Sequence, residues 1–254
     1  MRAAVFDSGV GGLSVVKSLL AHRFFDEIVY YGDTARTPYG AKDQNTITRY
    51  SLEALEFLSG FEPNALIVAC NTASAYALEE LRRKASFLVA GVIEPGVMAL
   101  RNGGVKSRDR VLVIATRATI NSGAYQKLLA AQGYENVTAI AAPLLVPLVE
   151  EGIFDGAIVD ETFKRYFGDL GAFDAVIMGC THYPLMQAAL GAWFGGAKLV
   201  HSGEAIAEYL TANGLASGGA NETDLRFFAS ENVGRLKEVA SKWLHLPSIT
   251  KDRS

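Results

Sequence analysis

Eight short apolar runs recur along this chain, and most of them are continuous instead of alternating. They fall at Ala3 to Phe6, Ile28 to Tyr31, Ala65 to Ala69, Phe87 to Ala90, Val111 to Ala115, Val137 to Ile140, Ala175 to Met178 and Lys198 to Val200. A strand with one wet face alternates apolar and polar residues; a strand covered on both faces does not. Helical periodicities separate the runs. Ile47, Tyr50, Ala54 and Leu58 mark one stripe; Ile120, Ala124 and Leu128, with Tyr125 and Leu129 beside them, mark another. Strand–helix alternation of this kind predicts an α/β fold with mainly parallel sheets.

The chain also repeats itself. Residues 64–72 read NALIVACNT and residues 174–182 read DAVIMGCTH: a buried strand, a small residue, Cys, then small polar residues. Upstream, VFDSG at 5–9 and VIATRAT at 113–119 each follow a strand and precede a helical pattern. Two such pairs in the same order predict two pseudo-symmetric lobes. A break is expected at residues 91–96, where Glu94-Pro95-Gly96 reads as a turn. A second crossing is expected near His201-Ser202-Gly203, followed by a terminal helix. Facing lobes place a cleft between the C-terminal strand ends, where α/β sheets bind ligands.

Composition narrows the function. With 254 residues, 50% of them hydrophobic, the chain can bury a large core. The net charge of −3 carries no basic footprint for nucleic acid. Arg82, Arg83 and Lys84 form the densest basic run and read as the solvated end of a helix. The N-terminal apolar stretch breaks at Asp7, too early for a signal peptide, and no run approaches the ~18–20 residues of a membrane span. The expectation is a soluble, cytoplasmic protein without a membrane partner, whose two cysteines stay reduced.

Those cysteines are the main chemical signal. Cys70 and Cys180 each fall where a strand ends and a helix is expected, a position that lowers a thiol pKa. Taken singly, each reads as a buried, inert residue; in matching contexts they read as a pair that flanks one small ligand. Inverting a stereocentre needs a proton removed from one face and another delivered to the opposite face, which two thiols can do by exchanging roles. FDSGVGG at 6–12 offers Asp7, Ser8 and glycines that let backbone approach a ligand, although Asp7 reads equally well as a helix N-cap. Ser14 stands where a dinucleotide fingerprint needs glycine, so NAD is disfavoured. YYGDTARTPYG at 30–40 brings Tyr39 and Gly40 on a polar loop. Asn71, Thr72, Thr116, Thr119, Thr181 and His182 add donors and acceptors for a zwitterion. Glu150 and His182 are candidates for tuning Cys180, and Asp7 for tuning Cys70. Walker A, HExxH and CxxC motifs are absent from the sequence.

Together FDSGVGG, YYGDTARTPYG, ACNTAS, IEPG, ATRATI, GCTHYPL and HSGEA resemble the glutamate racemases of the aspartate/glutamate racemase superfamily, in order and approximate spacing. The resemblance runs from residue 6 to about 205. One departure is Glu204, where members often carry Asp. The resemblance implies interconversion of L- and D-glutamate without cofactor or metal, with D-glutamate supplied to bacterial peptidoglycan. It implies that Cys70 deprotonates D-glutamate and Cys180 deprotonates L-glutamate, with Asp7, Glu150 and His182 as acid–base support. It places Asp7, Ser8, Tyr39, Gly40, Asn71, Thr72, Thr181 and His182 against the substrate; Thr116 and Thr119 join them on chemistry alone. It also implies lobes of residues 1–92 with 207–254 and of residues 93–206, and a homodimer. Three rivals remain: an aspartate or other amino-acid racemase, a cysteine hydrolase using Cys180 and His182, and a two-lobed amino-acid-binding protein.

Overall fold

The structure, a computed structural model, describes residues 1–214 and 222–244. Its strands are β1 (Arg2–Asp7), β2 (Glu27–Gly32), β3 (Ala65–Val68), β4 (Leu88–Gly91), β5 (Arg110–Ala115), β6 (Asn136–Ala141), β7 (Ala175–Gly179), β8 (Lys198–His201) and β9 (Asp224–Ala229). Its helices are α1 (Leu13–His22), α2 (Gln44–Ser59), α3 (Asn71–Tyr76), α4 (Leu78–Lys84), α5 (Ile93–Asn102), α6 (Arg117–Ser122), α7 (Ala124–Ala131), α8 (Leu145–Glu150), α9 (Ala157–Phe167), α10 (Gln187–Trp193), α11 (Ser202–Ala212) and α12 (Val233–Leu244).

The strands form two sheets, ordered β4-β3-β1-β2-β9 and β6-β5-β7-β8, and every pairing is parallel. Read from β2, the first sheet runs β2-β1-β3-β4; the second runs β6-β5-β7-β8. The two orders correspond strand by strand, which is the repeat seen in the sequence, and β9 is the addition. Burial explains the continuous apolar runs. Ala3 and Val5 enter one core while Ala4 and Phe6 enter another on the opposite face. Leu112 and Ile114 likewise part from Val111 and Val113. Period-two side chains with both faces covered leave no polar position. Each fully buried Val, Leu, Ile or Phe contributes about 1.5–3 kcal/mol.

Several expectations are corrected. Glu94-Pro95-Gly96 is the first turn of α5 instead of a loop. A proline there removes an N–H that has no intrahelical partner, so the helix loses nothing. The stripe at Ile120, Ala124 and Leu128 is half-buried; the inward side chains are Tyr125 and Leu129. Gly123, at φ 68°, breaks the segment into α6 and α7 and rotates the second face. The helix after His201 is not terminal, because β9 and α12 follow. β9 reads DLRFFA, with Phe227 buried and Leu225 and Phe228 partly so. As an edge strand beside β2 it keeps exposed Arg226, so it lacks the continuous apolar signature. The basic run at Arg82 to Lys84 ends α4, with Arg82 paired to Glu79 and Arg83 to Glu80. Among the described residues, no helix is long and apolar enough to cross a membrane.

Candidate active site

The ends of β1 and β3 build one side of the site. Parallel pairing sets Phe6 beside Val68, and the Phe6 carbonyl accepts the Ala69 N–H at 2.8 Å. Cys70 follows as the N-cap of α3, its Sγ accepting the Ala73 N–H at 3.5 Å. The thiol donates to Ser8 Oγ, also at 3.5 Å. The expected lowering of its pKa does not occur. Burial pushes the Cys70 thiol up to about 12, and the nearby Asp7 charge adds to the rise. The Ala73 N–H and the Ser8 hydroxyl act the other way and lose. A helix of 6 residues supplies too little dipole to offset desolvation.

Asp7 is completely buried. Its Oδ2 accepts the Gly9 N–H at 2.9 Å and its Oδ1 accepts the Thr181 hydroxyl at 3.2 Å. It is not an N-cap; Gly12 holds that position of α1. Burial raises the Asp7 pKa, with the His182 charge as the main opposing influence.

The second side grows from β7. Cys180 follows it directly, but the turn beyond is a short 3₁₀ segment, Tyr183–Met186, and α10 begins only at Gln187. A helix N-terminus is therefore not what supports Cys180. His182 does: its Nδ1 lies 3.8 Å from Cys180 Sγ, and its Nε2 lies 2.6 Å from Glu150 Oε1. Burial opposes charge on His182. The hydrogen bonds and charges of Cys180 and Glu150 outweigh it and push the imidazole up to about 10. Glu150 is raised by burial but pulled below its ordinary value by His182 and Arg235. Both shifts favour an imidazolium paired with a carboxylate. A doubly protonated ring donates from both nitrogens, one proton toward Glu150 and one toward the Cys180 sulfur.

The two sides are stitched together by buried hydrogen bonds. Thr72 Oγ1 lies 2.9 Å from Thr116 Oγ1 and 3.0 Å from Thr119 Oγ1, so α3 meets α6 through three hydroxyls. Asn71 Nδ2 donates to Ser202 Oγ at 3.0 Å, and Tyr125 donates to Asn71 Oδ1 at 2.6 Å. Ser14 donates to the Thr181 carbonyl at 3.2 Å. Among the glycines of FDSGVGG, Gly11 is the one packed against the opposite side. A Cβ on Gly11 would lie 2.4 Å from Thr181 Oγ1 and 2.7 Å from His182 Nδ1. At Gly40 a Cβ would lie 2.4 Å from Thr116 Cβ.

One cavity collects these groups. Ser8, Tyr39, Gly40, Cys70, Asn71, Thr72, Thr116, Cys180, Thr181 and His182 line it, together with Pro38 and Val146. Asp7, Glu150 and Thr119 stand behind that lining, each hydrogen-bonded to a residue in it. The volume open to the centre of a water molecule is about 20 Å³, which is room for about one water. The sites of both thiols are thus closed, with Cys70 5% and Cys180 6% exposed. Tyr39 is held by its hydroxyl, which donates to buried Asp33 at 2.5 Å. Sequence reasoning passes over Asp33, Tyr125 and Ser202. Asp33 lies inside a quoted motif, while Tyr125 reads only as core. Among the described residues, no group of three or more His, Cys, Asp and Glu is placed to hold a metal ion.

The chain has relatives of known sequence and structure. A model of the family described as Asp/Glu/Hydantoin racemase matches residues 14–210. A glutamate racemase of a Nitratiruptor species is 57% identical over 245 residues, covering 96% of each chain. The crystal structure of glutamate racemase from Campylobacter jejuni subsp. jejuni superposes with a TM-score of 0.95 at 51% identity, covering 97% of this chain and 99% of that one. Glutamate racemase from Francisella tularensis subsp. tularensis, solved in complex with D-glutamate, gives a TM-score of 0.84 at 32% identity, covering 96% and 94%. An aspartate racemase of Picrophilus torridus shares the fold, with a TM-score of 0.63 at 18% identity and coverage of 86% and 95%.

Proposed function

Since this chain belongs to the Asp/Glu/hydantoin racemase family, we propose that it racemises glutamate with Cys70 and Cys180 as opposed acid and base. The observation that carries this reading is the single closed cavity lined by both thiols, each with its own polar support. Ser8 and Asp7 attend Cys70; His182 and Glu150 attend Cys180.

The α-proton of glutamate is a far weaker acid than any side chain, and no electron sink is invoked. The chain must stabilise charge as it develops on the α-carboxylate. Asn71, Thr72, Thr116 and Thr181 supply preorganised donors in a cavity from which water is squeezed out, with Thr119 holding Thr72 and Thr116 from behind. In the D-to-L direction Cys70 removes the α-proton and Cys180 returns one from the opposite face; in the L-to-D direction the roles exchange. Burial holds Cys70 as a thiol, its acid form. Its turn as base needs a cation beside it, and the substrate ammonium supplies one on binding. The His182 imidazolium stabilises negative charge on the Cys180 sulfur.

The same proposal includes delivery of D-glutamate to peptidoglycan, a cytoplasmic location, a homodimer, and lobes bounded at 1–92 with 207–254 and at 93–206. Residues 215–221 and 245–254 of that first lobe lie outside the described residues.

The test is racemisation of D- and L-glutamate in D₂O, with aspartate in parallel. Loss of optical activity together with solvent deuterium at the glutamate Cα is expected. Turnover of aspartate alone would retain the two-thiol chemistry and overturn the substrate. Glutamate binding without exchange in folded, reduced protein would move the assignment to a binding protein.

A further inference from the structure

A cavity that holds about one water must receive its substrate from somewhere, and a second cavity abuts it. This outer cavity is about 400 Å³ by the same measure, and it shares Pro38, Gly40, Thr116 and Val146 with the inner one. Those four residues are therefore the partition between the two spaces. Two cations line the outer cavity: Lys42, partly buried, and Arg117, exposed at the start of α6. Among the described residues neither forms an ion pair; Lys42 only faces the Tyr50 ring, 6.0 Å away. One anion is present, Asp43, and both its oxygens are engaged at the N-cap of α2, accepting from the Thr46 N–H and hydroxyl. The remaining walls include Tyr76, Ala118 and Pro143, which carry no charge. The balance is net positive around a mouth that leads to the thiols.

From this arrangement we infer that the outer cavity is the entry vestibule, and that Lys42 and Arg117 collect the carboxylates of the incoming amino acid. The inference rests on the racemase reading and adds its route of access. A cleft of one charge sign with low-dielectric walls concentrates ligands of the opposite sign and speeds their capture. Passage inward requires the Gly40–Thr116 contact to part, since these two residues close the partition from opposite lobes. Neither cation reaches the inner cavity, so neither takes part in proton transfer.

The experiment compares the wild type with Lys42→Gln/Arg117→Gln, measuring glutamate racemisation from about 10 mM to 300 mM salt. The double variant is expected to keep kcat within about twofold and to lose about fivefold in kcat/KM at low salt. The difference should close at high salt, where charges are screened beyond a few ångströms. Restoring one charge, as Lys42→Gln/Arg117→Lys, should recover part of the loss. Wild-type kcat/KM and salt dependence in the double variant would overturn the inference, as would an equal fall in kcat. Absence of turnover in the wild type would instead strike the racemase reading. D-Glutamate binding by calorimetry, wild type against double variant, then decides the vestibule separately: equal affinity at low salt overturns it, and weaker binding in the variant upholds it.

Discussion

His182 Nε2 and Glu150 Oε1 lie 2.6 Å apart across 32 residues of chain, at the end of α8 and just beyond β7. The carboxylate fixes the ring and its charge, and the ring carries that charge to the Cys180 sulfur. Replacing Glu150 by Gln keeps the shape and removes the charge. The His182 pKa is expected to fall from about 10 toward its ordinary value. Activity should drop roughly tenfold to a hundredfold, short of the roughly 10²–10⁴ for loss of a general acid or base. The pH–rate profile should lose activity at lower pH on its basic limb. An unchanged profile would show that Glu150 does not set the charge of His182.

The same pair makes stability depend on pH in a defined sense. His182 is raised in the folded state, so its contribution is complete below the unfolded value near 6.5 and lost as pH rises toward about 10. Glu150 is lowered, so its contribution is present above its ordinary range and lost only in acid. The gap in Tm between wild type and Glu150→Gln should therefore shrink steadily from about pH 6.5 to about pH 10. A gap that widens over that interval would contradict the ion pair.

Cys70→Ala and Cys180→Ala are each expected to abolish racemisation, with losses of at least about 10³-fold. The raised Cys70 pKa has a finer test. In a Cys180→Ser background, thiolate absorbance against pH should show a midpoint well above neutral. Adding Asp7→Asn should lower that midpoint modestly, because the negative neighbour goes while burial, the larger cause, stays. A midpoint near neutral before the second change would refute the desolvated thiol.

Gly11→Ala should be costly although Gly11 itself has no side chain to offer the reaction. Its Cβ meets Thr181 Oγ1 at 2.4 Å and His182 Nδ1 at 2.7 Å, so the lobes must part or the imidazole must swing. We expect a stability loss of about 1–3 kcal/mol from urea midpoints and a fall in kcat. Full activity with unchanged stability would mean the junction is looser than these distances require.

Tyr125→Phe removes only a hydroxyl, yet it leaves the Asn71 carbonyl without its 2.6 Å donor. A buried acceptor left unpaired costs about 1–3 kcal/mol. Because Asn71 also lines the cavity, KM for glutamate should rise along with the loss of stability. A change confined to stability would separate the Asn71 scaffold from substrate contact.

Much of this is legible in the sequence because two local signals repeat. The paired strand-Cys patterns at 64–72 and 174–182 disclose both the lobes and the thiols, since burial on two faces writes itself as an unbroken apolar run. Features that depend on distant partners are not legible in that way. Nothing near Cys70 announces that its burial, with Asp7 beside it, will outweigh a helix terminus, so the direction of its pKa comes out reversed. β9 escapes notice because an edge strand keeps polar residues such as Arg226. Pro95 reads as a boundary because sequence alone does not distinguish the first turn of a helix from a loop before it.

The place of β9 has a consequence for synthesis. β2 gains its outer neighbour only from residues 224–229, while the strands of the second sheet are all complete by His201. On the ribosome the sheet begun first is therefore finished last. Until the final segment emerges, β2 presents a row of unsatisfied backbone groups along its flank, the kind of edge that invites pairing with another chain. Nascent protein is thus most exposed to mispairing at its oldest part, and truncations before residue 224 leave that flank open permanently.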